Sequence, residues 1–360
     1  MTTPFAHRRR TLQAELDRAE LCALVVTHPP NWYYLTGFTG EAGVLIVGGH
    51  GAELVTDGRF LTQARDESPA IRVLEQKASL LESAGQLLRT KHRGRVGFDP
   101  TQVSVAQHRL LRKAAGSRCH WVAAPGLVEG LRRRKEPGEI AEMRRAAALA
   151  GEVLEDTLKL LKPGVGENEI AAEIEYQMRK RGATGPAFES IVAFGKRSAL
   201  PHARPTARRL RKNELVVLDL GAILAHYCSD ITRTVYVGRA PRRIRQWYKA
   251  VFEAQRAAIS ALRVGVSCGD VDATARRVLE SYSLGRQFVH GTGHGLGLEV
   301  HEEPRVAKGQ KKHLEPGNVV TIEPGVYLAG VGGIRIEDDV ALHDGRTEVL
   351  TRIPRDLIEL

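Results

Sequence analysis

Acidic residues inside apolar segments constrain this chain more than any other feature. The segment ELVVLDLGA (214–222) has the composition of a buried strand, yet Asp219 lies in its middle. A buried carboxylate is unfavourable unless it is paired or binds a metal ion. The next strand-like segment, 231–237, begins directly after Asp230. We therefore predict an antiparallel hairpin that brings Asp219 and Asp230 across from each other, where a cation would relieve their repulsion.

A second hairpin is predicted near the end of the chain. The segments VVTIE and IRIEDDVA flank a turn that contains two glycines. Strand alternation puts Arg335 and Glu337 on one face of the second segment and Asp338 on the other. The hairpin therefore offers a second carboxylate pair, Glu323 and Glu337, and Asp338 is interpreted as structural.

Three histidines lie between these hairpins. His290, His294 and His301 belong to the Gly-rich segment VHGTGHGLGLEVHEE, whose glycines disfavour a helix and let the backbone pass close to a site. Neutral imidazole is a common metal ligand. Four carboxylates and one histidine suit two divalent ions, because four negative charges balance two divalent cations. Together these residues predict a dinuclear metal centre that activates a water molecule.

The length of 360 residues favours two domains. Helical and strand patterns alternate over residues 1–125, which indicates an α/β domain. A charged linker is predicted at 126–138. Residues 139–360 are expected to form an α+β domain with helices near 139–161, 167–181, 242–263 and 267–281.

The net charge of +11 comes from 53 Lys+Arg against 42 Asp+Glu. Aromatic residues do not interleave with the basic clusters, so we expect a solvated surface and no nucleic-acid partner. The four cysteines form no CxxC pair, which favours reduced thiols in a cytoplasmic protein. No apolar run suggests a signal peptide or a membrane span.

The segments LDLG, SDITRT, HGTGHGLGLEVH, TIEPGVY, IRIED and IVAFGKRSALPH resemble the pita-bread metallopeptidases, specifically the Xaa-Pro dipeptidase (prolidase) and aminopeptidase P group. The resemblance covers the whole second domain and, more loosely, the first. It implies a creatinase-like α/β N-terminal domain followed by an α+β pita-bread catalytic domain.

The resemblance also implies roles for single residues. The metal ligands would be Asp219, Asp230, His294, Glu323 and Glu337, with Asp230 and Glu337 bridging two ions. The catalytic group would comprise His202, His290, His301, Glu323 and Arg335. The substrate would contact His202, His301, Arg305 and Tyr327. Glu323 would take the proton of the attacking water, and His301 would stabilise the oxyanion.

The activity implied is hydrolysis of the Xaa-Pro bond in di- or oligopeptides by a homodimer. Manganese is the expected metal, with cobalt, iron and zinc as alternatives. Arg305 favours a dipeptidase, because it would grip a free C-terminal carboxylate. The alternatives are an aminopeptidase P, which acts on longer peptides, and a non-enzymatic pita-bread binding protein, although such proteins tend to lose the metal ligands.

Overall fold

The structure, a computed structural model, describes residues 4–360 and consists of two compact units that divide between Arg132 and Arg133. This division lies inside the predicted linker 126–138, part of which is a short helix of the first unit, Leu127–Arg132. The predicted fold class, α/β followed by α+β, is confirmed. No helix in residues 4–360 has the length and apolar composition needed to cross a membrane.

The first unit is a mixed sheet of six strands with helices. Its strands are β1 (Ala23–Val26), β2 (Val44–Gly48), β3 (Gly51–Thr56), β4 (Arg72–Glu75), β5 (Gly94–Phe98) and β6 (Cys119–Ala123). They lie in the order β4-β3-β2-β1-β5-β6. Its helices are α1 (Pro4–Arg18), α2 (Pro29–Thr36), α3 (Leu61–Glu67), α4 (Leu80–Lys91), α5 (Val105–Ala115) and α6 (Leu127–Arg132).

Apolar side chains of the central strands form the core of this unit with α4 and α5. Val25 and Ile46 of the sheet pack in one cluster with Leu88 and Leu111 of the two helices. Both helices begin with capping boxes, in which a serine and the residue three positions later satisfy each other's backbone N–H groups. These capping residues therefore set where the two helices start.

The second unit combines four α-helices and two 3₁₀ helices, Gly195–Ala199 and Gly285–Gln287, with short sheets. The helices are α7 (Pro137–Leu158), α8 (Glu167–Lys180), α9 (Arg242–Ala261) and α10 (Cys268–Ser281). The strands are β7 (Gly185–Pro186), β8 (Ile191–Phe194), β9 (Glu214–Leu220), β10 (Ala222–Leu224), β11 (Tyr227–Cys228), β12 (Ile231–Val237), β13 (Gly293–Gly295), β14 (Glu302–Val306), β15 (Val319–Ile322), β16 (Gly325–Leu328), β17 (Gly332–Arg335), β18 (Asp338–His343), β19 (Arg346–Val349) and β20 (Ile358–Glu359).

Each pair of helices packs on its own sheet. Helices α7 and α8 share a core with the sheet β20-β12-β9-β8. Helices α9 and α10 share a core with the sheet β14-β13-β15-β18-β19 and with β16 and β17. The residues of the predicted metal centre lie on strands of both sheets, or beside them, so the two halves together position it.

The first predicted hairpin forms, but its register differs from the prediction. Asp219 on β9 lies opposite Thr232 on β12, so it does not face Asp230 directly. The prediction was wrong because β10 and β11 form a small extra hairpin between the two strands. Ala225 and His226 turn that hairpin with positive φ angles of 47° and 72°. Asp230 therefore lies before β12 begins.

The second predicted hairpin is interrupted. The predicted strand 334–341 is in fact two strands, because β17 pairs with β16 and β18 pairs with β15. The interruption leaves Glu323 and Glu337 unpaired between the two short ladders, at corresponding positions on the two arms of the hairpin. The backbone N–H groups of Glu323 and Glu337 donate instead to the carbonyl oxygens of Thr292 and Thr232 on other segments, over 2.8 and 3.1 Å, which accounts for the break.

Candidate metal centre

The five predicted ligands come together in the second unit, and we refer to Asp219, Asp230, His294, Glu323 and Glu337 as the candidate metal centre. Ligand atoms of Asp230, His294 and Glu337 lie within 4.8 Å of one another. The Nε2 atom of His294 lies 3.6 Å from Oε1 of Glu323 and 3.8 Å from Oδ2 of Asp230. Asp219 is close enough for its charge to raise the pKa of the other carboxyls.

The imidazole of His294 presents a lone pair to the carboxylates. Its Nδ1 atom lies 3.0 Å from the carbonyl oxygen of Gly295. A carbonyl oxygen only accepts hydrogen bonds, so Nδ1 carries the proton and Nε2 does not. Burial lowers the pKa of His294 to about 4, so the ring is neutral near neutral pH. A lone pair facing carboxylate oxygens is repulsive unless a cation lies between them.

The carboxylates of Asp230, Glu323 and Glu337 make no ion pair with a lysine or arginine in residues 4–360. Burial, and then neighbouring carboxylates, raise the pKa of Asp230 and Glu337 well above their ordinary values. Burial also raises the pKa of Glu323 to about 7. The Oδ1 atoms of Asp219 and Asp230 are buried without a hydrogen-bond partner. Unpaired carboxylate oxygens and one imidazole lone pair fit hard or borderline divalent cations.

Neighbouring side chains hold the other oxygens in place. The hydroxyl of Thr232 donates to Oε2 of Glu337 over 2.6 Å and accepts from Nε of Arg335 over 3.0 Å. Arg335 also donates from Nη2 to Oδ2 of Asp219 over 2.5 Å. Arg335 and Thr232 thus link the carboxylates of Asp219 and Glu337, which come from separate hairpins. Each of these two carboxylates has one oxygen fixed by the protein and one oxygen available to a cation.

Two residues of this arrangement were missed as site residues by the sequence reasoning. The carboxylate of Asp339 accepts a hydrogen bond from the backbone N–H of Asp230 over 3.0 Å. The second missed residue is Thr232, whose hydroxyl connects Arg335 to Glu337. Alternation along a strand places Thr232 on the same face as Asp230 and Asp339 on the same face as Glu337, so the pattern contained the signal.

Arg335 also begins a hydrogen-bond chain through two further predicted residues. Its Nη1 atom donates to the hydroxyl of Tyr327 over 2.7 Å, and that hydroxyl lies 2.9 Å from Nε2 of His290. Nδ1 of His290 lies 2.8 Å from the carbonyl oxygen of Gly291 and must donate to it, so Nε2 accepts from Tyr327. Burial lowers the pKa of His290 to about 4 and raises the pKa of Tyr327 to about 12, so both stay neutral.

The three remaining predicted residues, His202, His301 and Arg305, are exposed. The ring of His301 lies 4.3 Å from that of His294, measured between centroids. Burial, and then the charges of His202 and Arg305, lower the pKa of His301. Arg305 on β14 makes no ion pair with any residue in the described range 4–360. A ligand arriving from solvent can therefore reach all three side chains.

Both units match family models. Residues 141–344 match the model of metallopeptidase family M24. Residues 8–134 match the model of the creatinase/prolidase N-terminal domain. These matches agree with the resemblance found in the motifs, and they cover the two units separately.

Full-length relatives agree with the family models. The chain is 33% identical to the Xaa-Pro dipeptidase of Pyrococcus furiosus, over 95% of this chain and 97% of the relative. The structure matches an Xaa-Pro dipeptidase from Bacillus anthracis with a TM-score of 0.95 at 34% identity, over 99% of this chain and 100% of the other. An X-Pro aminopeptidase from Thermotoga maritima matches with a TM-score of 0.90 at 32% identity, over 98% and 100%. The chain therefore belongs to metallopeptidase family M24, with a creatinase/prolidase N-terminal domain ahead of the catalytic one.

Proposed function

We propose that this protein is an Xaa-Pro dipeptidase that uses two divalent metal ions. The observation that carries the proposal is the convergence of the His294 lone pair with the carboxylates of Asp230, Glu323 and Glu337. Beside them, the Oδ1 atoms of Asp219 and Asp230 are buried without a hydrogen-bond partner. That arrangement needs cations, and the family is one of metallopeptidases. The relatives whose names state Xaa-Pro dipeptidase supply the substrate class.

The proposed ligands are Asp219, Asp230, His294, Glu323 and Glu337. Four carboxylates neutralise two divalent cations, and we propose Asp230 and Glu337 as the bridging pair and manganese as the metal, following the resemblance. When bound, the ions would polarise the scissile carbonyl and lower the pKa of a water molecule. The remaining chemistry falls to side chains of this protein.

Glu323 is the proposed proton carrier. The resemblance implies this role, and the carboxylate of Glu323 lies within the candidate metal centre, with Oε1 at 3.6 Å from Nε2 of His294. The leaving nitrogen of proline must gain a proton as the C–N bond breaks, because it would otherwise depart as a strongly basic anion. We propose that the same carboxyl returns the proton to that nitrogen.

The other predicted catalytic residues divide into two groups. His301 and His202 are exposed beside the candidate metal centre, where they would contact the carbonyl oxygen and the backbone of the substrate. His290 has both ring nitrogens hydrogen-bonded within the protein. We therefore propose that His290, Tyr327 and Arg335 act together to hold Asp219 in place.

Arg305 supports a dipeptidase over an aminopeptidase P. A guanidinium without an ion pair can bind the free carboxylate of a dipeptide through two hydrogen bonds. The carboxylate of a tripeptide would lie one residue farther away. Aminopeptidase P activity is the second candidate, because the Thermotoga maritima relative is named an X-Pro aminopeptidase.

The test compares an Xaa-Pro dipeptide with the matching Xaa-Pro-Xaa tripeptide, each with added manganese. We expect faster turnover of the dipeptide, and an increase in KM of about tenfold or more for the dipeptide alone in Arg305→Gln. Lys308→Gln is the matched control, since it removes a charge from an exposed residue nearby. A preference for the tripeptide would assign aminopeptidase P activity, and no cleavage of either peptide by the metal-loaded protein would overturn the proposed function.

We also propose a cytoplasmic homodimer without a nucleic-acid partner. Four free cysteines in the described residues fit a reducing compartment. The dimer follows from the resemblance, and light scattering on the purified protein tests it. The non-enzymatic alternative has less support, because all five predicted ligands are present and come together.

A further inference from the structure

Glu167 is a buried carboxylate far from the candidate metal centre in sequence. It lies at the start of α8, and its side chain has no exposed surface. Its two oxygens accept from the backbone N–H of Phe194 and from that of Thr206, each over 3.0 Å. They also accept from the Thr206 hydroxyl over 2.6 Å and from Nε of Arg197 over 3.0 Å. One side chain therefore joins both ends of residues 195–205, which we term the His202 loop.

The middle of the His202 loop contacts the part of the molecule that holds Asp219. Nη1 of Arg335 donates to the carbonyl oxygen of Pro201 over 3.2 Å. The backbone N–H of Gly333 donates to the hydroxyl of Ser198 over 2.8 Å. A Cβ atom at Gly333 would collide with the carbonyl oxygen of Ser198, so the loop and β17 approach each other closely. The loop therefore has one attachment at its ends and another beside Arg335.

His202 depends on this loop for its position. Its side chain is exposed and makes no hydrogen bond or ion pair within residues 4–360. Its place beside His290 and His301, whose pKa values its charge lowers, is therefore set by the loop backbone. Fixing both ends of the loop reduces its conformational freedom further.

We propose that Glu167 is a positioning residue that sets the place of His202 by holding both ends of the His202 loop. The inference rests on the proposed function, because His202 is taken there to contact the substrate. A carboxylate is suited to the task, since it is the one side chain whose two oxygens both accept hydrogen bonds. Glutamine has nearly the same shape but must turn an NH₂ group towards one set of donors.

The first experiment is Glu167→Gln. We expect kcat/KM for an Xaa-Pro dipeptide to fall about 10- to 100-fold, the range expected for displacement of a binding group by about 1 Å. Metal content should equal that of the unchanged protein. Glu169→Gln is the matched control, because Glu169 lies on the same helix and accepts from Gly166 outside the loop. Its kcat/KM should stay within about twofold of the unchanged protein.

The second experiment separates positioning from general stability by repeating Glu167→Gln in a His202→Ala background. If Glu167 acts through His202, the double variant should be no slower than His202→Ala to within about twofold. An equal additional loss in that background would overturn the inference, as would unchanged activity of the single variant. Should Glu167→Gln fail to fold, Thr206→Val removes one hydrogen bond at the loop end and enters the same comparison.

Hydrogen exchange distinguishes failure of this inference from failure of the proposed function. Backbone amides of 195–205 should exchange faster in Glu167→Gln, while amides of β9 and β12 keep their protection. This result is expected even if the protein does not cleave Xaa-Pro peptides. Unchanged protection of the loop would overturn the anchoring role whatever the substrate proves to be.

Discussion

Glu337 and Asp338 are adjacent in sequence, both buried and both acidic, yet their surroundings are opposite. Glu337 faces other carboxylates, and burial followed by the charges of Glu323 and Asp219 raises its pKa well above the ordinary value. Asp338 faces cations and donors. It accepts from Arg233 over 2.8 Å, from Arg355, and from neutral side chains of α9 and the C-terminal segment.

Arg233 completes the surroundings of Asp338. Its N–H groups also donate to the backbone carbonyl oxygens of Thr232, Glu337, Ile353 and Pro354 at 2.6–2.9 Å. The negative charge of Asp338 is therefore balanced by the protein itself, whereas that of Glu337 is not. The comparison shows that burial of an acid does not by itself identify a metal site, and that Glu337 differs in facing other carboxylates without a balancing ion pair.

The largest effect should come from Glu337→Gln. We expect kcat/KM to fall about 10,000-fold, or about 5 kcal/mol of transition-state stabilisation, because a proposed bridging ligand loses its charge. The free energy of unfolding of the metal-free variant should rise or stay constant, because repulsion within the candidate metal centre is relieved. Steady-state kinetics and urea unfolding in EDTA measure the two quantities. Retained activity would show that Glu337 does not bind the metal.

The opposite outcome is expected for Asp338→Asn. Loss of the negative charge of Asp338 leaves Arg233 buried without a balancing charge. The free energy of unfolding should therefore fall by about 3–5 kcal/mol. The metal content of the protein that remains folded should be unchanged, as measured by elemental analysis. Loss of metal with unchanged stability would contradict the division between the two acids.

A third difference appears in the pH dependence of stability. The raised pKa of Glu323, about 7, means that the metal-free protein loses stability as pH rises from the ordinary value of 4.5 through about 7. The lowered pKa values of His290 and His294, about 4, act in the opposite direction below pH 6.5, where the unfolded chain gains protons. Above pH 6.5 the two histidines no longer contribute, whereas the raised pKa values of the buried carboxyls continue to lower the stability as pH rises.

The thermal midpoint of the metal-free protein should therefore fall between pH 6.5 and about pH 8, whereas that of the manganese-loaded protein should not. Metal at about 100 times its Kd stabilises by about 2.7 kcal/mol, and the stabilisation should grow with pH because protons compete for the same oxygens. Calorimetry with and without EDTA measures the difference. Asp338→Asn should keep this pH dependence, and Glu337→Gln should reduce it.

The same comparison explains how much of the site could be read from sequence. Asp219 and Glu323 are visible because an acid in an apolar strand breaks a local pattern. The registers of both hairpins could not be read, because the β10–β11 insertion and the break at Pro324 depend on tertiary pairing. The fold class follows from local periodicity, which is why it could be predicted while the pairing could not.

Residues that act through partners far along the chain gave no such signal. Glu167 looks like an ordinary acid in the first turn of a helix, where it would complement the helix dipole. Its contacts with Phe194 and Thr206 lie 27 and 39 residues away in sequence. Asp338 was interpreted as structural from alternation alone, and its ion pair with Arg233, 105 residues distant, agrees with that interpretation.

The smallest predicted effect tests whether the surroundings of Asp219 resemble those of Glu337 or those of Asp338. Tyr327→Phe removes one hydroxyl between Arg335 and His290 but leaves the bond from Arg335 to Asp219. We expect kcat/KM to fall about fivefold to tenfold, the equivalent of about one buried hydrogen bond. Tyr282→Phe is the control, since its hydroxyl donates to Glu253 outside the site.

The direction of the accompanying change in metal affinity decides the question. If Arg335 orients Asp219 for a cation, the more mobile Arg335 side chain of Tyr327→Phe should weaken manganese binding, which titration calorimetry would measure. If Arg335 instead neutralises Asp219 as Arg233 neutralises Asp338, a looser Arg335 should free the carboxylate and strengthen binding. Weaker binding together with slower turnover would place Asp219 with Glu337 among the acids whose balancing charge must come from outside the chain.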